Sequence, residues 1–307
     1  MRGSRHLAEK MHANEVETDD ALVGRLLAAQ FPQWAELPIT RVHSAGTDHV
    51  LYRVGSDLVV RLPRKEHVDE QVDKERTWLP RLAPLVPLEL PIPLAKGEPG
   101  AGYPFAWSIY RWLEGENPVE GVADPAVASD LARFVTALRH IDATGGPPAG
   151  EQNFFRGAPL ALRDEPTRIA IEELRGIVDT GAVASAWDEA LGTPAWPGPP
   201  VWIHGDLTPE NLLLRRGRMA AVIDFGCLGV GDPACDLLVA WSLLSGQGRR
   251  VFREEVDVDD DTWARGRGWA LSTALIALPY YKDTNPPRAA NARYRIREAV
   301  ADRSSAR

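Results

Sequence analysis

The chain has 307 residues, of which 44% are hydrophobic and 25% charged, enough apolar material for one large domain or two modest ones. That balance excludes wholesale disorder. With 35 Lys plus Arg against 43 Asp plus Glu the net charge is −8, which argues against a nucleic acid or an anionic membrane as main partner and tolerates a cationic ligand.

Residues 18–31 carry apolar side chains at Ala21, Leu22, Leu26, Leu27 and Phe31, a helical period with Thr18 or Asp19 as its cap. Three short runs rich in β-branched residues follow at 39–43, 50–54 and 58–62, with turns at 44–48 and 55–57 between them. They predict a hairpin-linked antiparallel sheet. The segment 66–82 is predicted helical, with Val68, Val72, Glu75, Leu79 and Leu82 on one face, so a carboxylate interrupts an apolar stripe. Pro84, Pro87, Pro91 and Pro93 break up the next stretch before strand-like composition returns at 103–113. Past the turn cluster 114–118 the character changes. Asp124 caps a helix with Pro125 at its first position, and Val127, Leu131, Phe134, Leu138 and Ile141 line its face. A charged helix is expected over 165–178, strands around Val201 and Val222, and helices over 236–244 and 262–278. Residues 293–307 are charged and expected to fray. The chain thus divides near residue 114 into a mostly β front, 13–113, and a mostly α rear, 114–307, behind a leader of residues 1–12 expected to be disordered.

The longest uncharged apolar runs, 237–244 and 270–281, fall short of the roughly 20 residues a bilayer crossing demands. The first ten residues lack the apolar segment of a secretory signal, so the cytoplasm is the expected compartment. Cys227 and Cys235 fit neither a disulfide framework nor a zinc site and are expected as buried, reduced thiols.

The chemistry concentrates in VWIHGDLTPENLLL (201–214) and AAVIDFG (220–226). Two apolar strands deliver polar groups at their ends: His204, Asp206 and Asn211 from the first, Asp224 from the second. Such a platform suits a divalent cation beside a reacting hydroxyl, with Asp206 toward the hydroxyl and Asn211 and Asp224 toward the metal. The spacing from Asp206 to Asn211, followed by Asp224-Phe225-Gly226, matches the parts of kinase-type phosphoryl transfer.

HGDLTPEN, then IDFG, then GDPACDL (231–237) resembles the aminoglycoside phosphotransferase family of small-molecule kinases, which includes aminoglycoside and macrolide kinases. The resemblance runs from about residue 21 to 287 and is sharp over 201–237; NFFRGAPLALRDE (153–165) and WARGRGWAL (263–271) are also similar to members. It implies an α+β, bilobal protein-kinase-like fold, with an antiparallel sheet and one helix in the N-terminal lobe and a mainly α-helical C-terminal lobe. It also implies ATP (or GTP) and Mg2+, with Asp206 as the catalytic aspartate and Asn211 and Asp224 as metal ligands. His204 and Asp236 would brace the catalytic loop, and Asp232 would cap a helix.

In the front half, Arg61 on the third strand stands where such kinases usually carry Lys, and Glu75 is its expected partner, since a carboxylate on an apolar stripe is costly without a cation. The turn 44–48 holds one glycine, so no G-x-G-x-x-G motif exists; by position, Ser44 and Thr47 would cover the nucleotide phosphates. Backbone groups of Arg111 and Leu113 would bond the base. Residues 153–156 with Trp263, Trp269, Tyr280 and Tyr281 are candidate acceptor walls, with core packing as the alternative for the aromatics. The acidic run Asp257, Asp259, Asp260 and Asp261 reads as a solvated helix start, with contact to an amino-sugar cation as the alternative. The expected function is transfer of the γ-phosphate to a hydroxyl of a small molecule, an antibiotic of aminoglycoside or macrolide type. The alternatives are a kinase for a cellular metabolite and a nucleotide-binding pseudokinase regulator.

Overall fold

The computed structural model describes residues 16–42, 48–66 and 70–305. The expected leader (1–12), Ser44 and Thr47 lie outside the described residues. The chain divides into two compact units, one made of Met1–Pro84 with Glu89–Glu114, the other of Leu85–Leu88 with Gly115–Arg307.

The first unit opens with α1 (Asp20–Gln30), whose cap Asp19 accepts a bond from the Leu22 N–H at 2.7 Å. Strands β1 (Ile39–Val42), β2 (His49–Val54) and β3 (Leu58–Pro63) follow, then α2 (Glu70–Leu82), β4 (Pro93–Gly97) and β5 (Trp107–Arg111). The five strands form one antiparallel sheet in the order β1-β2-β3-β5-β4. Leu26 of α1, Tyr52, Val60, Trp107 and Ile109 make its core.

Two expectations shift here. Glu66, expected in the helix, lies in a turn, and the described helix runs from Glu70; residues 67–69, with the expected Val68 contact, lie outside the described residues. The proline-rich stretch yields β4, because Pro93 opens an edge strand where its missing N–H costs no ladder bond, and the register shifts between Pro93 and Ala95.

The second unit contains α3 (Pro125–Arg139), α4 (Asp164–Glu173), α5 (Thr180–Leu191), β6 (Val201–Ile203), β7 (Leu212–Arg215), β8 (Arg218–Val222) and β9 (Gly229–Gly231). It continues through α6 (Val239–Ser242), α7 (Gly246–Glu255), α8 (Asp260–Tyr281) and α9 (Pro286–Ser305). Strand β6 pairs with β9 and β7 with β8, both antiparallel. Asp124 caps α3 through the Ala126 N–H at 2.8 Å. The single helix expected over 165–178 ends at Glu173; Gly176 turns the chain at φ +83° and Asp179 caps a second helix, α5. The helix expected over 236–244 is a 3-10 turn, Pro233–Leu238, running into the short α6.

The expected fraying is overturned over the described residues 293–305. Helix α9 runs to Ser305 and buries Ala292, Ile296 and Ala299. Asn291 ties it to α6 by donating to the Ser242 carbonyl at 2.8 Å. No helix among the described residues is long and apolar enough to cross a membrane.

Asp259 caps α8 by accepting from the Thr262 N–H at 2.6 Å. The side-chain and backbone bonds from Thr262 hold its carboxyl below the ordinary 3.8. A depressed carboxyl stabilises the fold above its ordinary pKa and loses that contribution as pH falls through the folded value. Asp259→Ala should therefore cost about 1 kcal/mol at neutral pH. In urea titrations the gap between variant and parent should close only below pH 3.8; a gap already gone at pH 6 would contradict the cap.

Candidate active site

Strand β6 ends at Ile203 and delivers His204, which is fully buried. The ring donates from Nε2 to the Ile223 carbonyl at 3.0 Å, while Nδ1 accepts from the Asp206 N–H at 3.1 Å. These two bonds place the ring proton on Nε2 and tie the loop to the end of β8. Phe225 meets the ring edge-on at 4.6 Å.

From beneath, the buried Asp236 accepts the His204 N–H at 2.8 Å and the Gly205 N–H at 2.7 Å, one on each oxygen. Burial raises its carboxyl against the lowering effect of His204 and those two bonds. Gly205 itself sits at φ +85°, and a Cβ there would lie 2.8 Å from the Cys227 carbonyl oxygen and 3.1 Å from Arg156 Cβ. Only glycine fits this turn.

Asn211 folds back onto Asp206. Its Nδ2 donates to the Asp206 carbonyl at 2.9 Å and to Oδ2 at 3.2 Å. With nitrogen committed there, Oδ1 is the pole left to accept a cation. The Ile223 N–H donates to the Asn211 carbonyl at 2.9 Å, which brings Asp224 in as the next residue along. Asp224 adopts φ +61°, a left-handed conformation that Asp tolerates better than most residues. No group of three or more His, Cys, Asp or Glu side chains is poised to hold a metal among the described residues. Two oxygen ligands, Asn211 and Asp224, nonetheless fit Mg2+, which keeps several waters and takes further oxygens from phosphates.

In the N-terminal unit, Arg61 Nη1 bonds both oxygens of Glu75, at 3.2 and 3.1 Å, and Nη2 lies 3.3 Å from His49 Nδ1. Tyr110 donates its hydroxyl to Glu75. Burial, then the Glu75 charge, pushes the phenol well above its usual range, so it stays a donor. The Arg61 guanidinium also lies 5.3 Å from the Tyr110 ring centroid. Arg111 ends β5 and Leu113 follows two residues on; the Trp112 N–H between them is committed to the Asp57 carbonyl at 2.7 Å.

The sequence profile described as the phosphotransferase enzyme family matches residues 38–269. The chain belongs to that family.

No curated protein sequence matches this phosphotransferase significantly. Among solved structures it is similar to the GDP complex of aminoglycoside 2'-phosphotransferase-IIIa, at 18% identity, TM-score 0.72, covering 93% of this chain and 100% of that one. A GDP and kanamycin complex of APH(2")-IIia gives 19% identity, TM-score 0.71, and coverage of 91% and 98%. Macrolide 2'-phosphotransferase MphH from Brachybacterium faecium gives 21% identity, TM-score 0.59, and coverage of 90% and 98%. At these identities the likeness shows the protein-kinase-like fold.

Other residues singled out by the sequence take packing and capping roles. Trp263 packs against Trp241 with ring centroids 4.7 Å apart, a core contact rather than a wall. Asp260 pairs with Arg253 at 2.6 Å and Asp259 caps α8, so the acidic run is a helix start. Asp232 caps Ala234 and also forks onto Arg265, at 2.7 and 3.3 Å. Cys235 is buried, but Cys227 is only partly so; neither is in a disulfide.

Of the arginines that crowd the catalytic loop, Arg156 falls within the expected wall 153–156, whereas Arg288 carries no such signal in the sequence. Arg156 Nη2 lies 3.5 Å from Asp206 Oδ1, and Arg288 Nε lies 3.5 Å from Glu210 Oε1. Arginines in polar stretches read as solvent-facing, and periodicity carries no signal for such inward cations.

Proposed function

We propose that this chain is a cytoplasmic kinase of small-molecule alcohols, moving the γ-phosphate of ATP (or GTP) to a hydroxyl. The observation that carries the reading is the Asn211 amide, bonded through Nδ2 to Asp206, while the Asn211 carbonyl accepts from the N–H of Ile223, the residue before Asp224. Asp206 orients the acceptor hydroxyl and takes its proton. Asn211 and Asp224 hold Mg2+, which when bound neutralises charge on the phosphates. His204 and Asp236 fix the loop so that the Asp206 carboxylate keeps its aim. Arg61, held by Glu75, contacts nucleotide phosphate, and backbone groups of Arg111 and Leu113 bond the base. The aminoglycoside and macrolide enzymes of the same fold make antibiotics of those two types the first acceptors to test, with resistance by inactivation as the consequence.

A coupled ADP-release assay over a panel of hydroxyl compounds tests this. Release should appear only when an accepted alcohol is present, vanish with EDTA and return with excess Mg2+. Nucleotide binding without transfer to any alcohol would favour a pseudokinase.

A further inference from the structure

Four buried side-chain polar atoms of the C-terminal unit have no hydrogen-bond partner among the described residues: Arg156 Nε and Nη1, Arg295 Nε and Trp269 Nε1. All four are N–H donors, three of them on guanidinium groups. Buried N–H groups are ordinarily paired, so this set of donors asks for oxygen acceptors from outside the chain.

The four belong to one neighbourhood. Arg156 reaches Asp206 through Nη2 at 3.5 Å. Arg163 lies 5.0 Å over the Trp269 ring and donates to Ser272 Oγ at 2.9 Å. Arg295 donates to Thr273 Oγ1 at 3.2 Å, and Thr273 Oγ1 donates to the Trp269 carbonyl at 2.8 Å. Arg295 and Arg288 are seven residues apart on α9, two turns along one face, with Arg288 on Glu210.

Arg295 is 6% exposed, yet neither it nor Arg163 has an ion-pair partner among the described residues. Burial, reinforced by Arg156, lowers Arg163 to about 9. Burial also lowers Arg295 to about 10, with Glu210 and Asp206 opposing it and Arg156 and Arg288 adding to it. A buried cation without a partner is costly, and evolution ordinarily pairs or removes it. Planar guanidinium forks match carboxylate and phosphate oxygens.

We propose that the acceptor alcohol carries an anionic group, a carboxylate or a phosphate ester, received by Arg156 and Arg295 beside Asp206. The assignment deepens the phosphoryl-transfer reading above and rests on it. It keeps the transfer chemistry but replaces the amine-bearing aminoglycosides and macrolides named above with an anionic acceptor, and places the selectivity in α9 and in the loop that carries Arg156.

Sulfate is the first probe, with thermal unfolding in sodium sulfate compared with sodium chloride at equal ionic strength, nucleotide absent. The parent protein should gain more from sulfate than from chloride. Arg295→Met should lose most of that increment while melting higher than the parent in chloride, because an unpaired buried cation has gone. Arg61→Met combined with Glu75→Leu and Tyr110→Phe, which leaves no buried carboxylate unpaired, should keep the increment, which separates this site from one for nucleotide phosphate. An increment unchanged in both Arg295→Met and Arg156→Gln overturns the proposal.

Transfer assays then compare glycerate, glycerol 3-phosphate, glycerol and kanamycin as acceptors. A charged alcohol should be preferred, its two forms telling carboxylate from phosphate. Its KM should rise at least about tenfold in Arg295→Met with the KM for ATP unchanged. Preference for glycerol or kanamycin, or a rise in the ATP KM instead, overturns it. A sulfate response without ATP turnover on any alcohol or on water counts against the kinase reading itself, and the acceptor assignment falls with it.

Discussion

Asp206→Asn should lose at least about 10²-fold in kcat while folding normally and keeping its KM for nucleotide. The substitution is nearly isosteric, and the Asp206 side chain is 24% exposed, so little packing changes. The backbone carbonyl of residue 206 still accepts from Asn211 Nδ2 and from the Thr208 N–H, at 2.9 and 2.8 Å, so the loop is held without the carboxylate. What disappears is an acceptor for the hydroxyl proton and a negative charge beside the attacking oxygen. Both act in the transition state, so kcat and kcat/KM should fall together. Steady-state ADP release with circular dichroism on the same preparation checks this. An unchanged kcat would remove Asp206 from the reaction.

The catalytic loop was readable in the sequence because its chemistry is local. His204, Asp206 and Asn211 lie within eight residues, and Asp224 follows at the end of the paired strand. Glu75 was readable for a different reason: it breaks an apolar stripe, between Val72 and Leu79, that the structure buries completely. The misses have physical causes too. Strand β4 hides behind prolines because an edge position forgives them. Helix α9 hides because its buried face is built from alanines among arginines, a pattern with little hydrophobic contrast. The inward turn of Arg156, Arg163 and Arg295 is a tertiary property. Nothing in the spacing of those three residues distinguishes them from solvated neighbours.

The second large effect concerns stability in the N-terminal unit. Glu75→Ala should cost about 3–5 kcal/mol, because it leaves the Arg61 cation buried without its carboxylate. Side-chain exposure is 9% for Arg61 and 2% for Glu75, so water cannot take over the pairing. The same truncation also strands the Tyr110 hydroxyl, whose acceptor is Glu75. Removing all three polar partners together, as Arg61→Met with Glu75→Leu and Tyr110→Phe, should therefore restore most of the lost stability. Equilibrium urea unfolding reads both results; a cost below about 1 kcal/mol for Glu75→Ala would mean the pair is effectively solvated. The triple variant then separates two roles that a single substitution confounds. If Arg61 serves nucleotide phosphate as well as the fold, stability returns while kcat/KM for ATP stays low. If activity returns together with stability, Arg61 is only the counter-charge of Glu75, and the departure from the usual lysine has no catalytic meaning.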